Sequence, residues 1–591
     1  MHENLKVWQC LVHLWKFIKP HQVKLWLGLG MTVILQMVLS LLPSLEGLVI
    51  TQLQNDLSGI AKHLPGAQIQ VDVIVRLLLI LLISYMTKLS LQFGSAFTLT
   101  DSIQKTVYDL RNAVEHKINR LPVAYFDAHP TGDLLSRITN DVETVSDALQ
   151  QTLQRTVQAA CTIVFSIWLM ITISPVMTLV VAVGIPLMLW ICSFVVKKSQ
   201  PVFDAQQEAL ADLSSTVNEL YSGYNEILAY NCQKQAREQF EKVNLSMKEK
   251  GFKSQVLSGT IEPLTSLVTY LMIGCCAVYG CLQVMTGTMT LGSLQAFIRY
   301  IWLLNNPISQ ISQLTSAVQA AFAGMHRLFT FLSLPEEEQT GIKEPIAEVN
   351  SVAFENVAFS YNREQPLMHN LSFQAGKGQT VAIVGPTGAG KTTVANLLLR
   401  FYSPISGRSS INGCDIQDLS CKDLRGLYGL VMQDPWLFEG TVRENLLYGS
   451  PDATDQKMIE AAQKAGVHEI IEQLSSGYQT ILSEGADNIS QGEKQLLTIV
   501  RTLIRDPGIL ILDEATSSMD TRTERRLQKA MDVLLKTRTC FVIAHRLSTI
   551  VNADLILVMD QGTIVEQGSH QELLKKNGRY AELYQAQFAG A

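Results

Sequence analysis

The chain has 591 residues, 47% hydrophobic and 17% charged, with a formal net charge of −6 at pH 7. Soluble globular chains carry about 25% charged residues, so an ordinary all-soluble protein fits poorly. Gly and Pro are ordinary and neither a short period nor a basic block runs through the sequence, which excludes disorder, a fibrous repeat and a nucleic-acid partner. The hydrophobicity is uneven: apolar runs of roughly 20 residues, long enough to cross a bilayer core, crowd the N-terminal half, while the C-terminal part has a soluble mixture. The ten cysteines lack zinc-ligand spacing and read as small apolar fillers or free thiols in a reducing compartment.

Residues 5–18, LKVWQCLVHLWKFI, mix Trp, Leu and Phe with Lys and His. They predict an amphipathic helix lying in the membrane interface within 1–22. His13 and Lys16 break the apolar run, and no small-residue cleavage site follows, so a signal peptide is not expected. Six spanning helices are expected at about 23–50, 73–98, 156–174, 176–197, 256–285 and 289–320, making a transmembrane domain over 23–321. Ile173-Ser174-Pro175 leaves room only for a tight hairpin between the third and fourth. The polar stretch Gln52–Val71 has one Lys, whereas 99–155 and 198–255 are rich in Lys and Arg. That asymmetry puts the two long loops, and with them both termini, in the cytoplasm.

Both long loops keep a helical pattern, interrupted at Phe126-Asp127 with Gly132–Arg137, and at Gly223–Glu226. Helices that run far beyond the bilayer and turn over through a short helix at each break fit this pattern; so does a solvated charged hairpin. Glu46, Arg76, Lys88, Glu262 and Arg299 fall inside the spans. Charge in lipid is costly, so such groups face a water-filled cavity or reach the interface. Glu46, Arg76 and Glu262 lie toward helix ends, within reach of the interface. Lys88 and Arg299 are the candidates to line a pathway, unless the helices extend past the bilayer.

From about 322 the pattern changes. MHRLFTFLSLPEEEQTG, with Pro335 and three consecutive Glu, marks a linker over 322–348. The β-type runs VAFENVAFSY and TVAIVG then open a stretch of alternating strands and helices, an α/β domain over 349–591.

Within that domain Gly385-Pro-Thr387-Gly388-Ala-Gly390-Lys391-Thr392 matches G-x-x-x-x-G-K-[ST], between the strand Thr380–Val384 and a helix. Glycines there let successive backbone N–H groups form an anion nest at a helix N-terminus. Lys391 reaches for β- and γ-phosphates and Thr392 for Mg²⁺. A second apolar strand, Ile509–Leu512, ends in Asp513-Glu514: one carboxylate to hold Mg²⁺, the next to take a proton from an attacking water. Between them, Ser490 and Glu493 have the S-x-x-E spacing of a capping box. The same Ser- and Gly-bearing helix start would also serve a phosphate.

With the phosphate loop, the 489–493 segment, LDEATS at 512–517 and IAHRLS at 543–548 in this order, the chain resembles ATP-binding cassette (ABC) half-transporters of the exporter fold (type IV) along essentially its whole length. The resemblance implies a multi-domain membrane protein, with an all-α six-helix transmembrane domain followed by an α/β P-loop ATPase domain. It implies ATP and Mg²⁺ as cofactors. Glu514, His545 and Gln433 would be the catalytic group, and Thr392, Gln433 and Asp513 would hold the metal. Tyr361 would stack on adenine. Gly385, Thr387, Gly388, Gly390, Lys391, Thr392 and Thr393 would hold the phosphates, and Ser490, Gly492 and Asp520 would act across a dimer. The breaks at Phe126–Asp127 and Tyr224–Glu226 resemble coupling helices.

The implied partner is a second ABC half-transporter chain, because the signature of one cassette closes over ATP on the phosphate loop of the other. The usual signature is L-S-G-G-Q; this chain has Ile489-Ser490-Gln491-Gly492-Glu493. Neutral variation is one reading. A heterodimer, in which this chain keeps the catalytic Glu514, is the reading we favour. The implied setting is the cell (plasma or inner) membrane, in contact with the lipid bilayer, with the nucleotide-binding domain and both termini cytoplasmic. The implied activity is ATP-driven export of a small amphipathic or hydrophobic compound such as a drug, lipid or peptide. An importer built on the same fold, for example for a metal–siderophore complex, would share every ATP motif. A soluble cassette ATPase would lack the spans.

Overall fold

The structure, a computed structural model, describes residues 7–63, 68–337, 341, 344–362, 367–513, 521–536, 538–544 and 550–588. The chain divides into two units, residues 1–119 with 131–334 and residues 120–130 with 335–591.

The first unit is helical. Its opening helix, Val7–Ile18, buries Cys10 and Leu14 while Trp8, Leu11, Val12 and Trp15 stay exposed, the two-sided surface its sequence predicts. A turn at Lys19–His21 leads into Gln22–Ala61, followed by the long helices Val71–Ile118, Gln154–Ile173, Pro175–Ser222, Ile261–Met285 and Leu291–Leu332. Among the described residues, five helical stretches are long and apolar enough to cross a membrane: Trp8–Ala61, Val71–Ile118, Leu134–Ile173, Pro175–Ser222 and Gln233–Met285. Leu291–Leu332, at the sixth expected span, carries an internal proline, Pro307.

Local chemistry explains the turns. The Ser174 side chain accepts from the Met177 N–H and Pro175 occupies the first helical position, so a cap and an N-terminal proline close the hairpin. The breaks in the long loops are short helices, Val123–Ala128 and Tyr224–Ala229. The flanking helices Val71–Ile118 and Pro175–Ser222 each run for 48 residues, against the roughly 20 that a bilayer core requires. On the return from the first break the chain passes through wider π turns at Arg137–Asp141 and Ala148–Leu153. Asp141, buried in the first of these, accepts from Arg327 Nε at 3.1 Å and so ties that turn to Leu291–Leu332.

The core of this unit centres on Met170, Met177, Met188, Phe297 and Tyr300. The buried Tyr300 hydroxyl donates to the Ser40 carbonyl at 2.8 Å, joining the last long helix to the first and satisfying its polar end. That last helix continues to Leu332, so the first eleven residues of the segment read as a linker, 322–332, are helical. The unit ends at Leu334, one residue before Pro335.

The second unit holds two main sheets. A six-stranded sheet has the order Thr563–Gly568, Leu555–Asp560, Thr380–Val384, Thr539–Ile543, Ile509–Asp513 and Tyr428–Val431. It is parallel except for its first strand. Its inner strands read as continuous apolar runs because helices and a second sheet cover both faces. The antiparallel sheet Met368–Gly376, Ser351–Phe359, Ser406–Ile411 and Cys414–Asp415 contributes Phe354, Phe359 and Phe373 to one of the two cores. Residues 120–130, with the short helix Val123–Ala128, group with this unit.

Candidate nucleotide site

In open α/β sheets ligands bind beyond the carboxyl ends of the strands. Register places the site: Ile543 pairs with Ile383 on one side and with Asp513 on the other. Gly385, two residues past Ile383, and Asp513 therefore leave the same edge. The loop Gly385–Gly390 has φ of +154° at Gly385, +83° at Gly388 and +97° at Gly390, conformations open to glycine at little cost. A side chain at Gly385 would strike the Met559 carbonyl at 2.2 Å, whereas the Cβ position of Gly388 is open. Gly390 then starts the helix Lys391–Leu398.

Lys391 is half-buried and its ammonium donates to the carbonyls of Gly385 at 2.8 Å and Pro386 at 3.0 Å, curling over the loop. Burial lowers its pKa, and the Asp513 carboxylate opposes that shift. Thr392 is exposed and Thr393 buried. Tyr361 shares a hydrogen bond with the Thr393 hydroxyl at 3.1 Å and accepts from Asn396 Nδ2 at 3.2 Å. Phe359 and Tyr402 meet its ring edge-on, with centroids 4.9 Å away in each case. Held at its tip and sides, the ring stays 52% exposed.

Gln433 follows the strand Tyr428–Val431 and is exposed, with its carbonyl accepting from Gln495 Nε2 at 3.2 Å. Gln495 belongs to Gln491–Arg505, the helix of the signature segment. Ser490 caps that helix with the expected capping box: the Glu493 carboxylate accepts from the Ser490 N–H at 2.8 Å and from its hydroxyl at 2.7 Å. Gly492 is buried in the first turn. Among the described residues, no hydrogen bond joins Ser490 or Gly492 to the phosphate loop. Glu514, Asp520 and His545 lie outside the described residues.

The phosphate-loop residues fit a polyphosphate: a glycine cradle, a lysine and a helix N-terminus converge. Thr392 and Asp513 supply oxygen donors of the kind Mg²⁺ takes. The ten cysteines are free, and burial pushes the Cys540 thiol up to about 12. Sequence reasoning passed over Tyr402, Asn396 and Gln495. Each acts through a fold contact rather than a motif, although the Tyr402 position, next to Phe401 at the end of the phosphate-loop helix, was a usable signal.

In the helical unit, Glu46 has partners within the protein. Its carboxylate accepts from the Tyr85 hydroxyl at 2.8 Å and lies 3.5 Å from Arg299 Nε. Side chains lean toward the N-terminus of their helix, which turns Arg299 back along Leu291–Leu332. Gly47 and Gly292 let the two helices touch through their backbones close by. The pair thereby satisfies within the protein a charge that would otherwise seek the interface.

Long apolar helices joined to a phosphate-loop ATPase unit define an ATP-driven membrane transporter. Residues 28–308 match the family model described as ABC transporter transmembrane region, and residues 368–517 match that described as ABC transporter. The chain belongs to the ABC transporters, and it is a multi-pass membrane protein whose ATP hydrolysis is coupled to transport. It is 43% identical over 522 residues to a fatty acid ABC transporter ATP-binding/permease protein of Mycobacterium bovis, covering 88% of this chain and 83% of that one. It is 34% identical over 498 residues to an ATP-dependent lipid A-core flippase of Vibrio vulnificus, covering 84% and 85%. A solved bacterial Atm1-family ABC exporter with ATP bound superposes with a TM-score of 0.76 at 26% identity, over 97% of this chain and 98% of that one.

Proposed function

We propose that the chain is one half of a dimeric exporter that moves an amphipathic or hydrophobic compound across the cell membrane, with its nucleotide unit and both termini in the cytoplasm. The observation that carries this reading is the shared sheet edge of Gly385, Lys391 and Asp513 in a chain whose other unit is a bundle of apolar helices. The names of the two relatives, a fatty acid transporter and a lipid A-core flippase, favour a lipid-like cargo.

Tyr361 offers its ring face to adenine, the loop N–H groups and Lys391 hold the phosphates, and Thr392, Asp513 and Gln433 would hold Mg²⁺. The metal supplies neutralisation of phosphate charge when bound. Glu514 takes a proton from the attacking water, and His545 and Gln433 orient it. Ser490 and Gly492 sit on a separate helix start, suited to the ATP of a partner cassette, with Asp520 acting across the same junction. ATP drives transport only if it favours one conformation over another, and a two-cassette sandwich supplies that preference. The partner we favour is a different half-transporter, because Glu493 places a carboxylate where phosphate would approach.

ATP-driven accumulation of cargo in everted membrane vesicles is the expected result. Accumulation only in right-side-out vesicles would make the chain an importer. Purified alone, the chain should hydrolyse ATP slowly; robust turnover by a discrete two-chain species would replace the heterodimer with a homodimer.

A further inference from the structure

The helical unit forms an open cavity of about 680 Å³ between Gln22–Ala61, Val71–Ile118 and Leu291–Leu332. Its size falls within the roughly 300–1,000 Å³ of small-molecule pockets. Leu39, Leu42, Leu294 and Ile298 are among its apolar walls, yet Glu46, Lys88 and Arg299 open into it together. Two cations therefore face one carboxylate in a region expected to lie in the bilayer.

The carboxylate is already engaged. Glu46 accepts from Tyr85 at 2.8 Å and from Gln295 at 3.5 Å, and pairs with Arg299, whose Nε lies 3.5 Å away. The Arg299 side chain remains 57% exposed, and a guanidinium carries five N–H donors, more than one carboxylate can take up. The Lys88 ammonium lies 5.8 Å from the centre of the Tyr85 ring, a cation–π contact. Among the described residues it has no carboxylate within ion-pairing distance. A cation left without an anion in an apolar cavity is costly, so a site of this composition is completed by an anionic occupant.

We propose that this cavity is the cargo site and that it selects an amphiphile with a single anionic head group. Lys88 and Arg299 hold the head, and the leucine- and isoleucine-lined walls hold its chain. Glu46 is a positioning residue: it steers Arg299 and leaves a net charge of one unit for the cargo to neutralise. The inference rests on the amphipathic-cargo reading above, and the test separates the two.

The full chain, purified and placed in nanodiscs of zwitterionic lipid, is titrated with hexadecanoate, hexadecyl phosphate and hexadecanol. The anions should bind about tenfold more tightly than the alcohol, the worth of one charge-assisted hydrogen bond. Whichever anion binds more tightly identifies the head group as carboxylate or phosphate, and either supports the site. Lys88→Gln and Arg299→Gln should each cut the preference to about threefold or less, while Lys88→Arg and Arg299→Lys should keep it. Binding of the alcohol by each variant reports an intact cavity. Equal binding of all three by the unaltered protein would overturn the anion site and leave the amphipathic reading standing. An anion preference that survives in the Lys88→Gln, Arg299→Gln double variant would also overturn the site. Binding of none of the three would overturn both.

Discussion

Tyr402 donates its hydroxyl to Asp127 at 2.5 Å while the edge of its ring meets Tyr361, centroid to centroid, at 4.9 Å. One side chain thus touches both the aromatic assigned to adenine and the short helix Val123–Ala128. Burial, reinforced by the Asp127 carboxylate, pushes the phenol pKa well above its ordinary range. The hydroxyl stays a donor throughout the neutral range.

Tyr402→Phe keeps the ring and removes the donor. We expect the KM for ATP to stay within about twofold and the cargo moved per ATP to fall about tenfold, the low end for a hydrogen bond to a charged group. Asp127→Ala should give the same fall, and the double variant no further loss, because both remove one interaction. Parallel assays of ATP hydrolysis and vesicle transport measure the ratio, and an unchanged ratio would remove Tyr402 from the coupling path.

Gly47 and Gly292 make a backbone crossing of two apolar helices. A Cβ at Gly292 would lie 1.8 Å from the Gly47 carbonyl oxygen, and one at Gly47 would lie 2.4 Å from that of Gly292. Neither backbone can yield as a flexible side chain would, so Gly292→Ala must part the helices. It should cost about 2 kcal/mol or more and lower the thermal midpoint. Gly274→Ala, where nothing lies within 4 Å of the new Cβ, should leave the midpoint unchanged or slightly raised.

Glu493 has opposing effects on stability and turnover. A carboxylate at a helix N-terminus stabilises the helix by about 0.3–1 kcal/mol, but it also repels a phosphate approaching the same N–H groups. Glu493→Gln retains a capping-box acceptor. It should lower stability slightly while raising ATP turnover a few-fold in the assembled dimer. A parallel thermal melt and ATPase assay checks this, and no rise in turnover would mean that Ser490 and Gly492 do not face phosphate.

The Glu444 carboxylate, which accepts from the Thr441 N–H and hydroxyl, is held below its ordinary pKa of 4.5 by those bonds. A lowered folded-state pKa gives stability that is present above the unfolded pKa and lost as pH falls through the folded one. The midpoint advantage of the unaltered chain over Glu444→Gln should therefore be full at pH 7 and vanish well below pH 4.5. A difference that persists in acid would assign the effect to packing.

What was legible in the sequence depended on short-range spacing. The phosphate loop, the Ser174-Pro175 hairpin and the Ser490–Glu493 cap are each made by neighbours in the chain, so residue type and offset suffice. The pairs Glu46–Arg299 and Tyr402–Asp127 join positions hundreds of residues apart, and only helix crossing and sheet order bring them together. For Glu46 the sequence showed only a place near a helix end; the internal partner Arg299 comes from the neighbouring helix, which crosses at Gly47–Gly292. Wider helical turns such as Arg137–Asp141 leave no residue signature, and the contact that ties this one down, Asp141 with Arg327, spans 186 residues.

In the function proposed, hydrolysis at the nucleotide unit drives movement through the helical unit, with Glu514 as the base. Everted vesicles carrying the unaltered chain with its partner, or the same pair with Glu514→Gln, are given ATP and a labelled amphiphile. Accumulation is expected with the unaltered chain. The variant should retain ATP, hydrolyse it about 100-fold more slowly and accumulate little cargo. Accumulation by the Glu514→Gln chain at the unaltered rate would show that transport does not depend on hydrolysis through Glu514.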